Sequence, residues 1–208
     1  MDLTGAITNA DGETMVKYLR AGLESSKQID AFVGYFYFSG FQEIADEVKD
    51  KKVRILVGMG IDREIVRTMS RDEKKNIDSY PARRSRGSIR IRNERKEYIE
   101  GLAEVFNNSE IFDSAKEEQA FEIFLDKVRD GSLEIRMTLQ KNHSKVYVLH
   151  FEDSVQIPGL SRGITIVGSS NLTYSGLLGQ GERNRVQPES RYYDEDSAFF
   201  EKVWNESE

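Results

Sequence analysis

The chain has 208 residues, of which 38% are hydrophobic, 10% aromatic and 32% charged, with a formal net charge of −6. This is enough apolar material for one large or two small globular domains, and the acidic balance argues against a wholly basic nucleic-acid coat while leaving room for a local basic patch. The absence of cysteine excludes disulfides, thiolate metal sites and cysteine nucleophiles and fits a reducing cytoplasm, and no stretch has the charge and apolar pattern of a signal peptide or a membrane span.

Thr8 to Gly12 reads as a turn, with Asp11 as a candidate N-cap. Met15, Tyr18, Leu19 and Leu23 then recur at helical spacing, which predicts a helix over 13–26. Ile29 to Phe38 is rich in β-formers and aromatics and reads as a buried strand, broken by Ser39-Gly40. A short helix over Phe41 to Val48 and a second strand, Val53 to Val57, complete a parallel strand–helix–strand unit. Gly58-Met59-Gly60 reads as the turn that closes it. Tyr35, Phe36, Tyr37 and Phe38 read as core residues in preference to a base-stacking platform.

Residues 62–130 are charged and helical in pattern, ending in an amphipathic helix with Phe121, Ile123, Phe124, Leu125 and Val128 near Asp130-Gly131. Within this insertion, Arg83, Arg84, Arg86, Arg90 and Arg92 belong to a basic run that could contact a phosphate backbone or could simply be a solvated face. Strands resume over Leu133 to Leu139, Ser144 to Phe151 and Gly163 to Gly168, and a helix packing Phe199, Phe200 and Trp204 closes the chain. The expectation is one α/β domain with a charged helical insertion.

The chemistry concentrates in His143-Ser144-Lys145 and Gly168-Ser169-Ser170-Asn171. A period of two puts His143 and Lys145 on one face of a strand. Lysine supplies fixed positive charge, and a neutral imidazole can attack or deliver a proton near neutral pH. The small residues after the next strand let a ligand approach the backbone, with Ser169 and Asn171 as donors for phosphate oxygens.

His143-x-Lys145 followed by Gly168-Ser169-x-Asn171 resembles the signature of the phospholipase D superfamily. Val33 to Phe41, Val53 to Met59, Asn171 to Leu177 with Glu182, and Phe199 to Glu206 resemble its nuclease-like domain, found at the N-terminus of bacterial superfamily II helicases and in metal-independent restriction endonucleases. The resemblance implies a mixed β-sheet flanked by helices and a metal-independent phosphodiesterase without a cofactor. By that likeness His143 attacks phosphorus to form a phosphohistidine, while Lys145, Ser169 and Asn171 hold the phosphate. The family has an acid five positions after the lysine, where this chain has His150. Counting along the strand puts His150 on the face opposite His143, as a packing or surface residue. Likeness to the subgroup makes Glu182 the acid that bonds the imidazole, with Asp153 as a fallback.

The family's site needs two H-x-K units, and this chain has one. The resemblance therefore implies a homodimer, with nucleic acid as substrate and a helicase module as a partner if the chain is part of a longer protein. Two alternatives stay open: an inactive DNA-binding module, favoured by His150 in the acid position, and a phospholipid phosphodiesterase.

Overall fold

The structure is a computed structural model that describes residues 6–10, 12–61, 115–155, 162–179 and 181–207. The arginines at 83, 84, 86, 90 and 92 lie outside the described residues, as does Asp11.

Seven strands form one mixed sheet. In chain order they are β1 (Ala6–Ile7), β2 (Ser26–Phe36), β3 (Lys52–Ile61), β4 (Leu133–Met137), β5 (Val146–Phe151), β6 (Gly163–Gly168) and β7 (Asn184–Gln187). Their order across the sheet is β1-β7-β6-β5-β2-β3-β4. β2, β3 and β4 run parallel, and β2–β5–β6–β7–β1 are paired antiparallel. The C-terminal ends of β2 and β3 therefore meet the N-terminal end of β5 along one rim. Among the described residues the helices are α1 (Met15–Leu23), α2 (Phe38–Gln42), α3 (Ala45–Val48), α4 (Ala115–Asp130), α5 (Tyr174–Leu178) and α6 (Ser190–Asn205).

The mixed sheet flanked by helices is the α/β class that the sequence implies. Alternation divides the apolar residues between its faces. Ile29, Ala31 and Val33 of β2 and Tyr147, Leu149 and Phe151 of β5 pack into a large cluster with residues of α1 to α5. Phe32 of β2 and Leu56 of β3 face the other way, onto Phe200 and Trp204 of α6. Helix α4 joins the main core through its aromatics: Phe124 meets Phe41 edge-on at 5.2 Å and Phe38 at 5.6 Å, geometries that ring quadrupoles favour.

Several boundaries differ from the sequence reading. Helix α1 starts later, and its cap comes from Asn9, whose Oδ1 accepts from the Met15 N–H at 2.7 Å. Strand β3 does not turn at Gly58-Met59-Gly60 but runs on to Ile61, because β2 continues beside it as far as Phe36. Ser39-Gly40 lies inside α2. The register of β2 against β3 shifts between Val33 and Tyr35. Two steps along β2 span three along β3 there, which puts the extra residue of the bulge in β3, and past it Phe36 rather than Tyr35 joins the core cluster. Of the four aromatics, Phe36 is buried, Tyr35 and Phe38 are half-buried and Tyr37 is exposed.

Candidate active site

His143 and Lys145 do not belong to the β5 ladder; they lie in the extended segment just before Val146. Pairing nevertheless reaches back to Lys145, whose carbonyl accepts from the Gly168 N–H at 3.2 Å. The segment is pinned across the sheet's end. Asn142 makes an Asx turn, its Oδ1 accepting from the Ser144 N–H at 2.8 Å and hydroxyl at 2.7 Å. The Asn142 N–H donates to the Gly58 carbonyl at 3.0 Å. A Cβ at Gly58 would stand 2.0 Å from the Asn142 oxygen, so only glycine lets the segment lie this close.

The imidazole of His143 rests on the next strand in the same way. A Cβ at Gly34 would stand 2.9 Å from His143 Cδ2 and 3.2 Å from Asn171 Oδ1. The ring is exposed, and neither of its nitrogens is hydrogen-bonded among the described residues.

Asn171 enters from the far side of β5. Ser170, just before it, is buried and locked to β7: its N–H donates to Asn184 Oδ1 at 3.1 Å, and Asn184 Nδ2 donates to its hydroxyl at 2.7 Å. The Tyr147 hydroxyl donates to the Ser170 carbonyl at 2.9 Å from beneath. Just after it, Thr173 caps α5 by accepting from the Gly176 N–H at 3.0 Å. Between these fixed points Asn171 Oδ1 accepts from the Tyr35 N–H at 2.9 Å. With its oxygen held there, the amide presents Nδ2 as a donor.

Lys145 is buried, and its Nζ donates to the His143 carbonyl at 2.8 Å. Burial lowers its pKa from the ordinary lysine value, partly opposed by the negative charge of Glu182. Glu182 is thus close enough to Lys145 for its charge to be felt. Its carboxylate accepts from the Ser169 hydroxyl, and that oxygen in turn accepts from the Arg183 N–H at 2.8 Å. The Ser169 hydroxyl proton is therefore committed to Glu182, and the backbone N–H to the Arg183 carbonyl at 3.2 Å. Ser169 orients the acid. The hydrogen bonds among the described residues include none between Glu182 and the imidazole.

His143, Lys145, Ser169, Asn171 and Glu182 thus share one rim of the sheet. Asp153, the fallback acid, lies past the opposite end of β5 and pairs with Lys27. His150 points to the α6 side. Its Nε2 is 2.7 Å from Asp30 and its Nδ1 2.7 Å from the Tyr193 hydroxyl. Arg54 grips the same carboxylate with two bonds, at 2.8 and 2.5 Å, and also reaches Glu201 at 2.5 Å. Burial pushes Asp30 up, but the bonds from His150 and Arg54 outweigh it and hold its carboxyl below the ordinary range.

The sequence reading had not singled out Gly34, Asn142 or Arg183. Gly34 carried a signal: a glycine within a run of β-formers marks a bulge or a close approach. Arg183, Arg185 and Lys141 are exposed on β7 and on the segments leading to it and to His143.

No family model matches the chain, and no curated protein matches it. Among solved structures it is similar to NucT from Helicobacter pylori, with 10% identity over 98% of this chain and 96% of NucT and a TM-score of 0.47. It is also similar to Nuc from Salmonella typhimurium, a phospholipase D family member, with 15% identity over 92% of this chain and 88% of Nuc and a TM-score of 0.41. A third is TrmBL2, an archaeal chromatin protein with a novel mode of DNA binding, with 11% identity and a TM-score of 0.46. The match takes in 100% of this chain but 54% of TrmBL2.

Proposed function

We propose that this chain is a phosphodiesterase of the phospholipase D type that cuts nucleic acid without a metal ion, with His143 as nucleophile. The observation that supports it best is the setting of His143: an exposed, unbonded imidazole on the Gly34 backbone, beside a buried lysine and an oriented amide donor. An imidazole held by neighbours on both nitrogens could not attack; this one has a free lone pair.

One nitrogen of His143 attacks phosphorus, and the bond from phosphorus to the leaving oxygen breaks. A second His143, from another copy of the chain, donates the proton that the leaving oxygen needs. Water then attacks the phosphohistidine, gives its proton to that second imidazole and frees His143. Lys145 and the Asn171 amide stabilise the charge that gathers on the phosphoryl oxygens. Glu182, oriented by Ser169, helps to keep Lys145 protonated and takes up the imidazole's other N–H when substrate is bound. The two-copy arrangement rests on the single H-x-K motif in the chain. Attachment to a helicase or restriction module in a longer protein rests on the likeness to that subgroup.

A second reading, a DNA-binding module without chemistry, draws on Glu182 bonding Ser169 rather than the imidazole. Hydrolysis of plasmid and single-stranded DNA in EDTA separates the two. Activity that persists in the chelator, disappears in His143→Ala and accompanies a dimeric solution mass supports the enzyme. DNA bound but uncut by the native chain selects the binding module.

A further inference from the structure

Six large hydrophobic side chains are exposed among the described residues: Tyr37, Met59, Met137, Leu139, Tyr174 and Phe199. Phe199 lies on α6, stacked on Phe32 at 5.7 Å. The other five follow or end β2, β3 and β4 or open α5, on the rim that carries His143.

The two tyrosines flank the site's amide. The Tyr37 N–H donates to the Leu172 carbonyl at 3.0 Å, one residue past Asn171. The Tyr174 N–H donates to Ser39 Oγ at 3.3 Å, two residues past Tyr37. Their side chains are 40% and 57% exposed. The ring of Tyr37 is also braced. It lies 6.5 Å from that of Tyr35 at an interplanar angle of 60°. Tyr35 in turn lies over Gly60, where an added Cβ would stand 3.6 Å from its ring. A braced ring gives up little conformational freedom when a flat partner stacks on it.

Building on the phosphodiesterase reading, we infer that Tyr37 and Tyr174 stack on the bases next to the scissile phosphate, so that the substrate is an unpaired strand. In a duplex the base faces are covered by their neighbours, whereas an unpaired strand offers them to aromatic rings. A phosphate held between Asn171 and His143 brings its flanking nucleotides over this part of the rim. The ring chemistry fits a wet strand better than a dry contact between proteins. A tyrosine buried in such a contact must find a partner for its hydroxyl, and on a strand that hydroxyl stays in water.

The test compares three oligonucleotides of one length: a single strand with bases, an abasic single strand and a duplex. The native chain, Tyr37→Ala, Tyr174→Ala and the two tryptophan substitutions are each assayed for kcat/KM. The native chain is expected to prefer the base-bearing single strand. Each alanine is expected to lower that rate by about 5- to 100-fold, the scale of one stacked base, while the abasic rate is unchanged. Tryptophan is expected to restore the loss. An equal loss on the base-bearing and abasic strands, or no loss at all, overturns the inference, as does a native preference for duplex. A solution mass that halves in the alanine variants also overturns it, by assigning the rings to a contact between copies. If the native chain cuts none of the three, the phosphodiesterase reading has failed, and binding affinity for the same oligonucleotides decides the stacking: equal binding of base-bearing and abasic strands overturns it.

Discussion

The two histidines stand seven residues apart on one stretch of chain, and their surroundings are opposite. His150 is held at both nitrogens. Asp30, an acceptor when ionised, takes the Nε2 proton, and Nδ1 accepts from Tyr193. Arg54 completes the cluster and lies over Phe200 and Trp204 at 5.0 and 5.3 Å, so the polar group ties β2, β3 and β5 to α6. His143 has no such partners among the described residues; what fixes it is steric, the bare backbone of Gly34 below and the Asx turn of Asn142 before it. A satisfied imidazole spends its lone pair on the fold. An unsatisfied one, if its position is fixed by other means, keeps the lone pair for a substrate.

The sharpest way to break this contrast is to remove each ring in turn. His143→Ala is expected to lower metal-independent hydrolysis by about 10⁴-fold or more, the scale seen when a nucleophile is deleted, with thermal stability unchanged. A clear fall in Tm would mean that His143 is structural too.

Removing the carboxylate on the other side should do the reverse. Asp30→Ala leaves Arg54 buried and half-paired, and is expected to cost about 3–5 kcal/mol of unfolding free energy, read by denaturant titration. The pH dependence has a definite sign. The folded-state pKa of Asp30 is depressed, so its contribution is present above the unfolded value of about 3.9 and is lost as pH falls through the folded one. Asp30→Asn should lack that acid-limb component. An acid limb identical to the native one would contradict it.

Gly34→Ala sharpens the claim that sterics set His143. The added methyl is expected to push the imidazole aside and reduce hydrolysis by about 10²-fold, the order of a 1 Å misplacement, while affinity for uncut DNA changes little. Full activity in this variant would show that the ring's seat is not what matters.

The smallest effect concerns Lys145. Burial lowers its pKa and Glu182 raises it, so the alkaline limb of activity should lie below the ordinary lysine value of about 10.4. In Glu182→Gln the opposing charge is gone, and the limb should move to lower pH still. A shift to higher pH would reverse the assigned electrostatics.

Much of the site was legible because its chemistry sits in short motifs. H-x-K and G-S-x-N each occupy a few consecutive residues, and the antiparallel pairing of β5 with β6 brings them to a common rim. Alternation also put His150 on the far face correctly. The rest depended on contacts between residues distant in sequence. Asp30, Arg54, Glu201 and Tyr193 come from three elements, β2, β3 and α6, and nothing in their spacing joins them to His150. Ser169 reads as a phosphate donor in its motif; only the position of Glu182 shows where its proton goes. Past the register shift of β2 against β3, Tyr35 and Tyr37 lie off the core face that the strand's composition suggested. The strands β1 and β7 have two and four residues, too few for a period to register.

The central claim is that His143 carries phosphoryl covalently. Rapid alkaline quench of the native chain turning over single-stranded DNA in EDTA, followed by peptide mass spectrometry, tests it directly. An acid-labile phosphoramidate adduct that carries the remaining nucleotide fragment on the peptide containing His143, absent in His143→Ala, is the predicted result. Steady hydrolysis with no adduct on that peptide under any quench time would contradict it.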